Sequence, residues 1–233
     1  MIDRHDVGGT VSWMREGTAY VVHCVGQLDD ELFAEPSGLR NWTRAHVVAH
    51  LARNAEALTR LVTWARTGVE TPMYADRDQR AAEIETSASR LPTVLRAELT
   101  ATADDLARAL GKLSSRHWAG VVRSALGRAV PAAEIPWMRV REVWTHAVDL
   151  NAGATFADFP AGVVDLLLDD VTAALSTKPG CPAALLTPSD RTTIWQLGPA
   201  PAEHIIKAPA AVIAGWLTGR AIHPEWPVPP AWL

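Results

Sequence analysis

Pro136-Trp137-Met138-Arg139-Val140-Arg141-Glu142-Val143-Trp144-Thr145-His146-Ala147-Val148-Asp149-Leu150 reads as one helix. Proline is tolerated in a first turn, Val140, Val143, Ala147 and Leu150 recur at threes and fours, and Asn151-Ala152-Gly153 supplies a terminator. The same stretch sets Glu142 and His146 four residues apart, so both side chains leave one face of the helix. A carboxylate that faces inward without a partner is costly, so an inward Glu142 demands a metal or another cation.

Upstream of this stretch the chain is dominated by helical spacing. Residues 11–26 carry Val11, Met14, Ala19, Val22 and Val25 and stop at Gly26, and Glu35-Pro36-Ser37-Gly38 reads as a loop. A long second helix runs to Thr67-Gly68, with Asn41 or Thr43 as its cap, Val47, Leu51, Leu58, Leu61 and Val62 on one face, and His50 mid-way. A third helical region covers residues 76–113 and kinks or restarts at Pro92, whereas residues 117–129 read as irregular. Four long helices predict a bundle.

Beyond Gly153 the texture changes. Pro160 opens one more helix to about residue 176, and then prolines at 179, 182, 188, 199 and 201 punctuate short apolar runs. Residues 183–187 and 192–197 read as strands joined by Pro188-Ser189-Asp190-Arg191, a connection of hairpin length. Residues 203–207 read as a third strand and 208–218 as a helix, with a Pro/Trp-rich tail after them. The expected fold is mainly α, with a four-helix metal-binding bundle over residues 1–154 and a smaller α+β domain over 155–233.

Composition excludes several classes. The 233 residues are 48% hydrophobic and 21% charged, which describes a globular chain rather than a disordered one. A net charge of −4 gives no basic footprint for nucleic acid, and no apolar run approaches the ~20 residues that span a bilayer. Residues 1–15 have mixed charge without the apolar core of a secretory signal, and the two cysteines, Cys24 and Cys181, suit buried thiols in a reducing compartment. We therefore expect a cytoplasmic, unanchored protein, and, in the absence of a heptad pattern, a monomer. The ten tryptophans are scattered, which favours packing, although Trp42 and Trp144 lie near the metal-capable residues and could line a pocket.

Metal sites in four-helix bundles are built from side chains on facing helices, so His50 with Glu142 and His146 can form a three-ligand set. Two imidazoles and a carboxylate suit zinc with an open fourth position, though nickel, cobalt or iron would also accept them. A helical Glu/His pair can equally be a surface contact, and His46, one turn before His50, could be a fourth ligand or a supporting residue. Asp149, three residues after His146, could accept the second N–H of a metal-bound imidazole or lie on the helix surface.

Two segments carry a family resemblance. Asn41-Trp42-Thr43-Arg44-Ala45-His46-Val47-Val48-Ala49-His50-Leu51 resembles the first metal-histidine segment of the DinB-like thiol-dependent enzymes. Arg139 to Leu150 is similar to their second motif, Arg-x-x-Glu-x-x-x-His-x-x-Asp-Leu. Within that superfamily the chain resembles the mycothiol-dependent maleylpyruvate isomerase family over essentially its whole length, including Trp216-Leu217-Thr218-Gly219-Arg220 near the end. The resemblance implies zinc, or another divalent metal, on His50, Glu142 and His146, with His46 outside the set. It also implies mycothiol as the thiol cofactor and a thiol-dependent cis-trans isomerisation of maleylpyruvate to fumarylpyruvate. Such a substrate is a small dianion and calls for guanidinium groups. Arg220, at the family's terminal Gly-Arg, is the expected catalytic arginine, binding substrate or thiol, against a simple role in capping its helix. Arg77 and Arg80 are weaker candidates whose default is solvation, and Arg139 is expected to pair with Glu134 or Asp149 or to touch ligand. The competing readings are a mycothiol-dependent S-transferase acting on electrophiles, and a non-catalytic binding module.

Overall fold

Asp6 opens the first helix. Its carboxylate accepts a hydrogen bond from the Gly9 backbone N–H at 3.0 Å, so α1 spans Val7–Gly26 in this computed structural model, which describes residues 2–232. The helix thus begins four residues before the expected position, because the cap absorbs Gly8 and Gly9 that otherwise read as breakers. The chain divides into two compact bodies, residues 2–154 and 155–232.

In the first body the long helices are α1, α2 (Arg44–Thr67), and, past the shorter α3 (Arg77–Ala88), α4 (Pro92–Leu110) and, after a four-residue α5 (Ser115–Trp118), α6 (Ile135–Asp149). The third helical region restarts at Pro92. Leu91 is extended at φ −60°, ψ 143°, the conformation a following proline favours, and Pro92 then takes the first helical position. Helix α2 is central and packs along α4, α3 and α6, while α1 packs along α6. The α1–α6 approach needs Gly17, where a Cβ would lie 2.5 Å from Trp144 Nε1. Val47, Leu51, Leu58 and Leu61 from α2, Leu99 and Leu106 from α4, and Val140 and Val143 from α6 belong to the buried core.

The stretch expected to be irregular contains a hairpin instead. Val121–Arg123 (β1) pairs antiparallel with Ala129–Pro131 (β2), Val122 opposite Val130, around a turn in which Gly127 has φ +79°. Strands of three residues are too short to show an alternation in sequence, and only Val122 and Val130 turn inward.

The second body is α+β: α7 (Ala161–Ser176), β3 (Ala184–Leu186), β4 (Trp195–Leu197), β5 (His204–Ile206) and α8 (Ala210–Leu217). The sheet order is β4-β3-β5, with β4 antiparallel and β5 parallel to β3. The β3–β4 connection is longer than the expected hairpin loop. Arg191 pairs with Asp165 at 2.9 Å and Asp190 accepts from the Ala210 N–H at 2.8 Å, so this segment is held by α7 and α8 as well as by its backbone bonds to residues 206 and 208. The whole is mainly α, a four-helix bundle with a smaller α+β body, as the periodicity predicts. No helix among the described residues is long and apolar enough to cross a membrane.

Candidate metal centre

His50 sits in the most buried run of α2, between Val47, Val48 and Ala49 on one side and Leu51 and Ala52 on the other, all fully buried. An imidazole in such a stripe must find a polar partner. It finds Glu142: His50 Nε2 lies 2.8 Å from Glu142 Oε2, and His146 Nε2 lies 3.2 Å from the same oxygen. The two imidazoles stand edge to face, with ring centroids 4.7 Å apart. One ligand atom from each of the three residues falls within 4.8 Å of the others. The spacing of four residues on α6 and the α2–α6 packing together produce the convergence.

The electrostatics suit these groups to a cation. Burial pushes His50 down to about 4, against the pull of Glu142, so it is neutral at physiological pH. Burial alone would raise Glu142, but hydrogen bonds from His146 and His50 outweigh it and hold the carboxylate well below its ordinary value. On His146 burial is outweighed by Asp149 and Glu142, and the imidazole is raised. Two nitrogen donors and one ionised oxygen fit a divalent cation: zinc takes such atoms at about 2.0–2.2 Å, which sets tetrahedral neighbours about 3.4 Å apart. Glu142 keeps 26% of its side chain exposed against 4% for His50, so the cluster opens on one side and is closed by protein on the other.

Asp149 orients the third candidate ligand. Its Oδ2 lies 2.8 Å from His146 Nδ1, which holds the ring and turns Nε2 towards Glu142. Asp149 is 1% exposed, and its carbonyl accepts from the Gly38 N–H at 2.7 Å, anchoring the loop that leads into α2. His46 is outside the cluster. Its Nδ1 accepts from the Thr43 N–H at 3.2 Å as part of the α2 cap and its Nε2 lies 3.1 Å from Glu85, so both nitrogens are used.

Two expectations about neighbours are corrected. Arg139 pairs with neither Glu134 nor Asp149: it is fully buried, and its Nη1 donates to the Leu51 carbonyl and to Asn54 Oδ1, each at 2.8 Å, which ties α6 to α2 behind the ligands. Burial lowers this guanidinium to about 10. Glu134 takes Arg128 instead. Trp144 does not line the site; it is buried, stacks on Tyr20 at 5.2 Å and donates to the Trp13 carbonyl, all within the α1–α6 packing. Trp42 does flank the site, with its ring 5.5 Å from that of His50. Cys24 and Cys181 are half-buried thiols outside the cluster.

Arg80, whose expected default was solvation, is a neighbour of the site. Its Nη2 lies 3.3 Å from His50 Nδ1, and no sequence signal points there, since α3 is polar and its register against α2 cannot be read from spacing. Arg77 is exposed on the first turn of the same helix. In the second body, Gly219 at φ +75° turns the chain after α8, so that the Arg220 N–H reaches the Gly215 carbonyl and its Nη1 donates to the Thr218 carbonyl at 2.7 Å.

Comparison with known proteins gives the chain its family. Residues 14–151 match the family described as the mycothiol maleylpyruvate isomerase N-terminal domain, a span that contains all three candidate ligands. The chain belongs to that family. Over 100% of both chains it is similar to a crystal structure of the mycothiol-dependent maleylpyruvate isomerase, at 34% identity and a TM-score of 0.94. A crystal structure of a histidine-to-alanine mutant of that isomerase matches at 34% identity and a TM-score of 0.93, again over 100% of both chains. YfiT from Bacillus subtilis, which has an unusual four-helix bundle topology, shares the fold at 18% identity and a TM-score of 0.54, over 65% of this chain and 87% of its own. No curated protein matches.

Proposed function

We propose that the chain is a mycothiol-dependent maleylpyruvate isomerase, cytoplasmic and monomeric, with zinc held by His50, Glu142 and His146. The observation that carries this reading is the full-length likeness to the isomerase at 34% identity, together with the convergence of the three residues on one point.

The chemistry suits the groups present. A carbon–carbon double bond conjugated to a ketone does not rotate. Addition of a thiolate to one alkene carbon turns it into a single bond, with the electron pair moved to the ketone oxygen as an enolate. Rotation and return of that pair expel the same thiolate and leave the trans alkene, so no atom is gained or lost. A bound divalent metal supplies thiol acidification, because the thiolate is the nucleophile and coordination favours it. His50 contributes a neutral nitrogen and Glu142 a permanent negative charge, while Asp149 holds the His146 ring in place. Arg220, in the family's terminal Gly-Arg, is our candidate to bind a carboxylate of the substrate or of the thiol.

A continuous ultraviolet assay of the metal-analysed protein with maleylpyruvate, with and without catalytic mycothiol, tests the proposal. Isomerisation that needs both metal and thiol, with thiol recovered unchanged, is the expected result. Inert maleylpyruvate on stoichiometrically metallated protein, or thiol consumed once per product, would sink it.

A further inference from the structure

A metal-bound imidazole normally hands its other N–H to a carboxylate or carbonyl, and His146 is placed to do so through Asp149. His50 does not follow this pattern. His50 Nε2 is turned to Glu142 at 2.8 Å, and its Nδ1 accepts from Arg80 Nη2 at 3.3 Å, so a guanidinium rather than a carboxylate stands behind this imidazole.

Arg80 is unusual among its neighbours in this respect. Arg53 pairs with Glu56 and Glu98, Arg90 with Glu98, and Arg96 with Asp30, but no carboxylate of the described residues lies within ion-pair distance of Arg80. The guanidinium is half-buried, and beyond the Nη2 directed at His50 it offers several further N–H groups with no carboxylate against them. Next to it Tyr74 presents a second donor. The Tyr74 hydroxyl is buried and gives its O–H to no described group, and its ring is flanked by the guanidinium carbons of Arg80 at 5.9 Å and Arg60 at 5.6 Å. Arg60 holds this part of the chain in place, since its Nε donates to the adjacent Met73 carbonyl at 2.8 Å. A buried hydroxyl left unmade costs free energy that an incoming acceptor returns.

We propose that Arg80, with the Tyr74 hydroxyl, forms the seat for one carboxylate of the substrate beside the candidate metal ligands, and that this seat makes the centre select an anionic over a neutral electrophile. The guanidinium fork matches a carboxylate in two places, and the phenol adds a single donor beside it. The assignment of that carboxylate to maleylpyruvate rests on the function proposed above; the seat itself rests on the guanidinium and the phenol.

The test uses the full-length, metal-loaded protein and maleate as a dicarboxylate probe, with binding read by titration calorimetry. Wild type is expected to bind maleate, and R80Q to bind it at least about tenfold more weakly, the loss of a charge-assisted pair, with metal content and thermal midpoint unchanged. Y74F should lose a few-fold, and R80K should recover part of the R80Q loss. With maleylpyruvate, R80Q should raise KM more than it lowers kcat. Maleate bound equally by wild type and R80Q, or by neither, overturns the proposal. Maleate binding that depends on Arg80 in a protein that does not turn over maleylpyruvate would overturn the isomerase reading alone, and turnover with an unchanged KM in R80Q would overturn the seat alone.

Discussion

Glu134 and Glu142 lie two turns apart, at the foot and the middle of α6, and both are carboxylates held below their ordinary value against burial that pushes the other way. Their partners differ. Glu134 is 2% exposed and meets the Arg128 guanidinium, with Nη1 at 3.2 Å from Oε2 and Nη2 on the other oxygen, while His5 lies 3.5 Å away. That pair is closed: a permanent cation satisfies the charge with a donor on each oxygen. Glu142 faces two imidazoles whose Nε2 atoms meet the same carboxylate oxygen and can give electron pairs once a metal takes the place of the shared protons. A buried carboxylate therefore marks a structural ion pair when its partner can only donate, and a candidate metal centre when its partners can also give electron pairs.

Breaking the second arrangement should have the largest effect. His50→Ala removes one of three proposed ligands, so metal content should fall to near zero and kcat/KM by at least about a thousandfold, given that a catalytic metal supplies several kcal/mol and each 1.36 kcal/mol is tenfold. The helical circular dichroism should stay unchanged, because the site lies within a continuous helix whose apolar neighbours remain. A mutant that kept both metal and activity would show that Glu142 is merely paired, like Glu134. Asp149→Asn is the next step down: the amide still contacts His146 Nδ1 but no longer with charge, and metal affinity or activity should drop about 10- to 100-fold. Metal analysis on both variants separates loss of the ligand from loss of its orientation.

Breaking the first arrangement should cost stability and leave the metal in place. Arg128→Ala strands a buried carboxylate, with an expected loss of about 1–3 kcal/mol in denaturant unfolding and an unchanged metal content. The pH dependence has a definite sign. Glu134 is depressed in the folded state, so its contribution is whole above its unfolded value and disappears as the pH falls through the lower folded value. The stability gap between wild type and the variant should be constant above about pH 5 and close below it. A gap that widened in acid would show that Arg128 is not what holds Glu134 ionised.

The difference between the two carboxylates is only partly visible in the sequence. Helices α2 and α6 are legible because their apolar residues recur at threes and fours, and the ligands are embedded in that pattern; the restart at Pro92 is legible from the chemistry of one residue. The hairpin of β1 and β2 is not, since three-residue strands carry no period and their pairing is set by the turn at Gly127. The partners of Arg139 are not legible either, because Asn54 is 85 residues away and the choice between it and Glu134 is made by the α2–α6 packing. A signal does exist in the spacing: Asn54 is one turn beyond His50, and Arg139 one turn before Glu142, so each lies on a ligand-bearing face. Arg80 has no such signal, for it reaches His50 from a polar helix whose register nothing in its sequence declares.

The smallest expected effect concerns the two histidines of α2, which spacing alone does not separate. His46 and His50 are one turn apart and equally able, by position, to meet a metal on α6. Their depth in the helix decides between them. His46 lies in the first turn, where the backbone N–H groups lack helical partners, and its Nδ1 takes the Thr43 N–H while Nε2 reaches Glu85, an exposed carboxylate. His50 lies one turn deeper, past the unpaired N–H groups of the helix start, and its side chain looks across to α6. His46→Ala should therefore cost no more than about 0.5–1 kcal/mol, the scale of a cap contact, with metal content and isomerase turnover unaltered. Loss of metal in this variant would place His46 in the ligand set after all and remove the distinction between a helix's first turn, which spends its polar side chains on its own backbone, and its interior, which can offer them to a neighbouring helix.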